Sequence, residues 1–287
     1  MKKLKCWVCG SQEEGDTVYK KYYRCPECGS LRLLKKVAES QLYQGKYYTR
    51  GVNVWWMGII DWLSFWDRYR TLNLKSTDKI LEIGFGGGKM INELNKRLYK
   101  VYGIDKSKWA RDNLSNKIGK GKVFASLDSF KMKFDVVLMY QVLEHIENPD
   151  AFLVKLTRYL NNGAKLVVRV PNVNSWEADL AGINWYHADY PYHKFLFSDH
   201  GLIRLFERCG YTDILVKNNM LEYRQVLGYS ILTKFNIHLP RRLMVVFQIV
   251  TIPILWIVSA LMAQHGVVEV EGTFHSSNSS RVANKSV

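Results

Sequence analysis

The stretch Lys79-Ile80-Leu81-Glu82-Ile83-Gly84-Phe85-Gly86-Gly87-Gly88 sets the frame that the rest of the chain must fit. It reads as a buried strand ending in a carboxylate, then a turn through glycines into a helix starting near Lys89. Glycines at such a turn let the backbone approach a ligand with no side chain in the way. Two nucleotide motifs fail on single residues. A phosphate loop ending at Gly88-Lys89 needs glycine where Ile83 stands and Ser or Thr where Met90 stands. A dinucleotide G-x-G-x-x-G starting at Gly84 needs glycine at position 89, which is Lys89. What remains is acidic-x-Gly-x-Gly-x-Gly, from Glu82 to Gly88.

The next strand, Val101-Tyr102-Gly103-Ile104-Asp105, ends in a carboxylate about twenty positions further on. Together the two strands resemble motif one and the second-strand acidic residue of class I S-adenosyl-methionine-dependent methyltransferases. The resemblance implies that Glu82, Gly84, Phe85, Gly86 and Gly88 form the turn under S-adenosyl-L-methionine. It implies that Asp105, followed by Lys106, accepts hydrogen bonds from the ribose hydroxyls. Lys122-Val123-Phe124-Ala125-Ser126 reads as a third strand, and Leu127 and Asp128 beyond it stand where the family contacts adenine. Phe134-Asp135-Val136-Val137-Leu138-Met139-Tyr140 is a buried strand running into Gln141-Val142-Leu143-Glu144-His145, then Asn148-Pro149. That string resembles the ubiquinone O-methyltransferase branch, and it places Tyr140 and Gln141 beside the cofactor. Base N-methyltransferases carry an Asn/Asp-Pro-Pro-aromatic turn here, so methylation of a nucleobase amine is disfavoured. Helix 150–160, ending at a Gly163 cap, and strand 165–170 complete the rhythm of a Rossmann-like, doubly wound α/β fold with a seven-stranded sheet.

The segment from Asn172 to His200 is long for a connection and rich in Trp, Tyr and His, as functional loops are. Its Asn172-x-x-Ser175, Gly182-x-x-Trp185 and Pro191-Tyr192-His193 resemble the substrate-facing insertion of the same branch. Methyl transfer to a hydroxyl needs a base, and histidine is poised for it near neutral pH. His193 is the first candidate and His145 the second. A divalent cation at the acceptor is the other reading. Some relatives hold one with Glu-x-x-Glu-His and a later histidine; here Gln141 replaces the first carboxylate, leaving Glu144, His145 and His193. The helix 55–72, with Trp56, Ile59, Ile60, Leu63 and Trp66 at helical spacing, leads into the first strand as a core or lid element.

Four of the five cysteines form Cys6-x-x-Cys9 and Cys25-x-x-Cys28, each pair followed by glycine, a zinc-ribbon spacing. Zinc would let so small a segment fold. Disulfides are the alternative, which a cytoplasmic setting disfavours. Cys209 reads as a core residue. The ribbon's lysines, arginines and tyrosines could track RNA, but Tyr43-Gln44-Gly45-Lys46-Tyr47-Tyr48 resembles the connector of bacterial sugar and small-molecule methyltransferases with cysteine-rich heads. A structural or substrate-shaping ribbon is preferred on that ground.

The chain carries a formal charge of +15, which points to an anionic partner: nucleic acid, acidic lipid or a phosphorylated substrate. Leu243 to Ala263 has no charged residue and follows Arg241-Arg242, so it could span a bilayer, lie in its interface or pack as a core helix. Residues 267–275 alternate like a last sheet strand, which favours entry and exit on one side and hence monotopic contact. The expected organisation is ribbon 1–36, connector 37–54, catalytic domain 55–220, helical insertion 221–266, last strand 267–275 and mobile tail 276–287. The implied setting is the inner face of the cytoplasmic membrane, since the start of the sequence lacks a signal-peptide pattern. The function expected is O-methylation of a sugar or lipid-linked intermediate. An RNA methyltransferase and an inactive membrane-tethered binding module are the alternatives.

Overall fold

The computed structural model describes residues 4–35, 57–218, 224–237 and 265–278, with isolated positions between 239 and 261. The connector 37–54, the end of the tail, and most of the apolar segment 243–263 lie outside the described residues.

Among the described residues the chain builds two sheets. The larger is formed by β4 (Lys79–Ile83), β5 (Lys100–Ile104), β6 (Val123–Phe124), β7 (Phe134–Tyr140), β8 (Leu160–Pro171), β10 (Tyr211–Asn218) and β11 (Val267–Phe274). Its order is β10-β11-β8-β7-β4-β5-β6, with β11 antiparallel to both neighbours and the strands from β8 to β6 parallel. This is the doubly wound α/β arrangement expected, with the last strand turned over. Near-continuous apolar runs such as Phe134–Tyr140 suit strands covered on both faces.

One face packs α2 (Lys89–Lys96) and α3 (Lys108–Ile118) through Met90, Ile91, Leu94, Ala110, Leu114 and Ile118. The other packs α4 (Pro149–Leu156) and α6 (Asp199–Arg208) through Leu153, Leu156, Leu202, Leu205 and Phe206. Helix α1 (Met57–Thr71) belongs to the first face; of the stripe expected, Trp56 and the side chains of Ile59 and Ile60 lie outside the described residues. Phe65 is buried, whereas Leu63 and Trp66 are exposed. The Arg97 guanidinium lies over the Phe65 and Trp66 rings, so the polar end of α2 covers part of that aromatic face. The cap expected at Gly163 is also corrected. The helix ends at Leu156, a 3-10 turn covers Thr157–Tyr159, and Gly163 lies inside β8 at φ 79°.

The ribbon strands β1 (Asp16–Val18), β2 (Tyr22–Arg24) and β3 (Leu31–Leu33) make the second sheet. Its fourth strand is β9 (Phe195–Leu196), from the catalytic domain, paired with β3 as Leu31↔Leu196 and Arg32↔Phe195. Ser198 reinforces the seam: its hydroxyl donates to the Cys28 carbonyl and its backbone N–H donates to the Ser30 hydroxyl. Ribbon and catalytic domain therefore share a sheet and a core.

Between β10 and β11 lies the insertion, which includes α7 (Arg224–Lys234). Asn218 and Val268 are register partners, so the insertion leaves and re-enters at one place, the edge where the parallel strands end. Among the described residues no helix is long and apolar enough to cross a membrane.

Candidate active site

Strands β4, β5, β7 and β8 end at one edge, where ligand crevices form in open α/β sheets. At β4 the backbone passes through Gly84, Gly86 and Gly88 at φ 68°, 50° and 68°. These values belong to the left-handed region, which glycine adopts without a steric cost. A Cβ on Gly84 would strike Val142 at 2.4 Å, so that glycine serves packing. Around Gly86 and Gly87 a Cβ would meet nothing within 4 Å, which leaves an open cradle. The Gly86 N–H donates to Asp105 Oδ2 at 2.8 Å, and Ser107 N–H to Oδ1 at 2.8 Å. Asp105 is thereby fixed at the end of β5 beside the open turn.

Glu82 is buried and accepts from the Ile91 N–H at 3.0 Å, tying the strand to α2. Burial pushes its carboxyl up to about 8, opposed by the Arg68 guanidinium. At the end of β7, Tyr140 has a buried hydroxyl with no hydrogen-bond partner among the described residues. Its ring has Arg68 at 4.6 Å and Arg169 at 5.5 Å. Arg169 is itself buried and bonded to Glu269 at 2.8 and 2.5 Å. Gln141 follows at φ 57°, and its side-chain Nε2 is likewise buried and unbonded. Orphan polar atoms at the end of a strand, next to an open glycine cradle, fit a polar ligand there.

A second cluster stands over β7. The side chains of Glu144, His145 and His193 bring their ligand-type atoms within 4.8 Å of one another. The two imidazoles meet edge to face at 4.7 Å. His193 Nδ1 lies 2.7 Å from the His187 carbonyl, and His145 Nδ1 3.1 Å from that of Tyr192. Those contacts suit Nδ1–H tautomers, leaving Nε2 as the acceptor on each ring. Burial lowers His145 to about 4 and His193 well below its ordinary value, so both rings are neutral near pH 7. Glu144 is fully buried, and neither carboxylate oxygen has a hydrogen-bond partner among the described residues. Burial raises it to about 8. A buried carboxyl beside two neutral imidazoles fits either a proton held on Glu144 or a divalent cation between the three.

In the ribbon, Cys6 and Cys28 sulfurs are 3.8 Å apart and Cys9 and Cys25 sulfurs 3.6 Å. Tetrahedral zinc with arms of about 2.3 Å places neighbouring sulfurs about 3.8 Å apart, whereas a disulfide needs about 2.05 Å. The four thiols fit zinc.

Other expected site residues lie elsewhere. Asp128 is exposed, held by Lys155 Nζ at 2.8 Å and the Tyr159 hydroxyl at 3.1 Å. Asp128 is thus paired at the surface with α4 and with the turn that precedes β8. Leu127 is buried in the core, and the Phe85 ring packs over Gly103, where a Cβ would come within 2.8 Å. Lys106 is exposed beside the cradle. Cys209 is a buried core thiol, its proton held by burial up to about 12. Arg68 escaped the sequence reading, and Tyr22, one of the ribbon tyrosines that could track RNA, is instead fully buried. Tyr22 donates its hydroxyl toward the carbonyls of Ala188 at 3.3 Å and His193 at 3.2 Å, holding the catalytic loop from the ribbon.

A family model described as a methyltransferase domain matches residues 60–216, the span holding both clusters. The chain belongs to that family. Curated relatives of this methyltransferase include ubiquinone biosynthesis O-methyltransferases of Nitrobacter winogradskyi and Bradyrhizobium. The first is 27% identical over 49% of this chain and 59% of its own length, the second 29% identical over 38% and 46%. The chain thus spans about three-fifths or less of these relatives. Among solved structures, a Thermotoga maritima S-adenosyl-methionine-dependent methyltransferase superposes with TM-score 0.51 at 18% identity, covering 79% of this chain and 95% of its own. A Haemonchus contortus phosphoethanolamine N-methyltransferase, solved with S-adenosylhomocysteine, gives 0.51 at 16% identity, with 75% and 53% covered. At these identities the structures support the fold.

Proposed function

We propose that the protein transfers a methyl group from S-adenosyl-L-methionine to an acceptor oxygen on a sugar or lipid-linked intermediate of envelope polysaccharide or lipid synthesis. The observation that carries this reading is the Glu144–His145–His193 cluster standing beside the glycine cradle. Bound in the cradle, S-adenosyl-methionine supplies an electrophilic methyl carbon on a sulfonium. Asp105 takes its ribose hydroxyls, while Tyr140 and Gln141 offer their free polar atoms. His193 takes the acceptor's hydroxyl proton on Nε2 as the oxygen forms its bond to carbon and the carbon–sulfur bond breaks. Its Nδ1, held at the His187 carbonyl, keeps that tautomer. Glu144 and His145 would hold a divalent cation with His193 if one is used, polarising the hydroxyl in place of a free base.

Oxygen as the methylated atom agrees with the printed names of the curated relatives. The lipid-linked acceptor is supported by the insertion, which begins and ends at the ligand edge. Of its described positions, Leu243, Val246, Val250, Ile257 and Leu261 are helical, exposed and spaced by three, four or seven residues. An apolar stripe of this kind suits contact with a membrane from one side, at the mouth of the site. An RNA acceptor loses support from the ribbon, where Lys21 is engaged over Tyr190 and Tyr22 and Tyr23 are buried.

The test is transfer of labelled methyl into membrane extracts and into soluble nucleotide sugars, in parent and His193→Ala. Label in a lipid-extractable, base-stable ether, lost by about 100-fold or more in the variant, is expected. Incorporation only into RNA would overturn the reading.

A further inference from the structure

We propose that the cavity at the seam between ribbon and catalytic domain binds the phosphate or pyrophosphate group of the acceptor. This rests on the acceptor class given above and extends it to a specific anionic group. The cavity has a volume of about 120 Å³ and is walled by Trp7, Arg32 and Lys35 of the ribbon and by Glu147, Pro191 and Lys194 of the catalytic domain. Three cations thus face one carboxylate. Small-molecule pockets usually begin near 300 Å³, so this space suits one compact group of a larger ligand.

The chemistry of the walls selects an anion. The Arg32 guanidinium lies 4.6 Å over the Trp7 ring, which orients the planar group while leaving its edge donors available for a bidentate oxyanion. Among the described residues, neither Arg32 nor Lys35 forms an ion pair. Trp7, Leu33 and Phe195 supply apolar walls beside the cations, and a lower local dielectric strengthens charge pairing.

Position gives the site its purpose. Lys194 follows His193 in the chain, and its N–H donates to the Glu144 carbonyl at 2.9 Å. Cavity wall and acceptor cluster are thus joined through adjacent residues and one backbone hydrogen bond. An acceptor carrying its hydroxyl to His193 could leave its phosphate on Lys194 and Arg32. Arg32 pairs in register with Phe195, so this cavity exists only with the ribbon docked. That would make the ribbon half of the acceptor site, set in place by zinc.

The experiment uses zinc-loaded full-length protein and calorimetry with inorganic pyrophosphate, in parent, Arg32→Ala, Lys194→Gln and the charge-keeping Arg32→Lys. Saturable binding in the parent, weakened about tenfold or more by Arg32→Ala and Lys194→Gln and less by Arg32→Lys, is expected. Unaltered S-adenosyl-methionine affinity and melting temperature would show that the variants are folded. No binding by the parent, or equal binding by folded variants, overturns the proposal. If S-adenosyl-methionine itself fails to bind while pyrophosphate binds, the functional reading falls and the anion site stands. Uridine diphosphate and vesicles carrying a polyprenyl diphosphate then distinguish the source: tighter binding by either supports the site and identifies that ligand.

Discussion

The glycine cradle and the Glu144–His145–His193 cluster face the same ligand edge but are built in opposite ways. The cradle is local: Glu82, Gly86 and Asp105 are joined through backbone N–H groups within one β-α-β unit. The cluster is assembled at long range. His193 comes from a connection after β8, its backbone carbonyl is held by Tyr22 some 171 residues earlier, and its strand β9 completes the ribbon's sheet. Damage to the first should therefore remove the cofactor and spare the fold. Damage to the second should spare the cofactor and misplace the acceptor.

The largest expected effect breaks the cradle alone. Gly86 has φ 50° and open space where a Cβ would stand, so Gly86→Val meets no protein atom there but enters the ligand's volume. The left-handed backbone costs a branched residue about 1–2 kcal/mol of stability. Affinity for S-adenosyl-methionine should fall by about 100-fold or more, about 2.7 kcal/mol, in calorimetry. Undiminished affinity in a folded variant would remove the cradle from the cofactor site.

A middle-sized effect tests the long-range half. Cys25→Ser removes one of the four thiols that fit zinc, and chelation would remove the ion they would hold; either undermines the platform for Tyr22, β3 and the β9 pairing. Turnover should drop by about tenfold or more, since displacement of a catalytic group by about 1 Å carries that order of penalty. S-adenosyl-methionine affinity should change by less than about twofold, a free-energy shift of about 0.4 kcal/mol. Loss of both together would show that the two halves are one cooperative unit.

This contrast also explains what the sequence made legible. Glycine spacing, the carboxylate at Asp105 and the apolar run Phe134–Tyr140 report local backbone demands, and the fold follows from them. The four cysteines are equally plain because metal geometry fixes their spacing. Asp128 is a loop residue with no periodicity to say what it meets, and its pairing with Lys155 and Tyr159 is set by the fold. Leu63 and Trp66 stand at the spacing of a core stripe, yet both are exposed and Arg97 lies over the Trp66 ring, a contact that spacing does not encode. The contacts of Tyr22 with the loop at His193, and the seam cavity, were illegible for a deeper reason. They depend on a pairing between residues 31–32 and 195–196 that no local pattern encodes.

The smallest expected effect separates a held proton from a cation at Glu144. Burial raises this carboxyl from 4.5 to about 8 in the folded chain. The folded state therefore holds a proton that the unfolded state has released, and the stability this supplies is full below about pH 4.5 and is lost as pH rises toward 8. Glutamine has no proton to lose, so Glu144→Gln should gain melting temperature relative to the parent as pH rises from 5 to 8, by a few degrees. His145, lowered to about 4, acts in the other window, losing stability as pH falls from about 6.5, and it is common to both proteins. Adding Mn2+ at pH 8 should close the gap by stabilising the parent alone if Glu144 is a ligand, because the cation supplies the positive charge that burial denies the carboxylate. A gap that ignores pH would mean that Glu144 is not held protonated by burial, whereas a pH-dependent gap that ignores Mn2+ would leave His193 as the base without a cation.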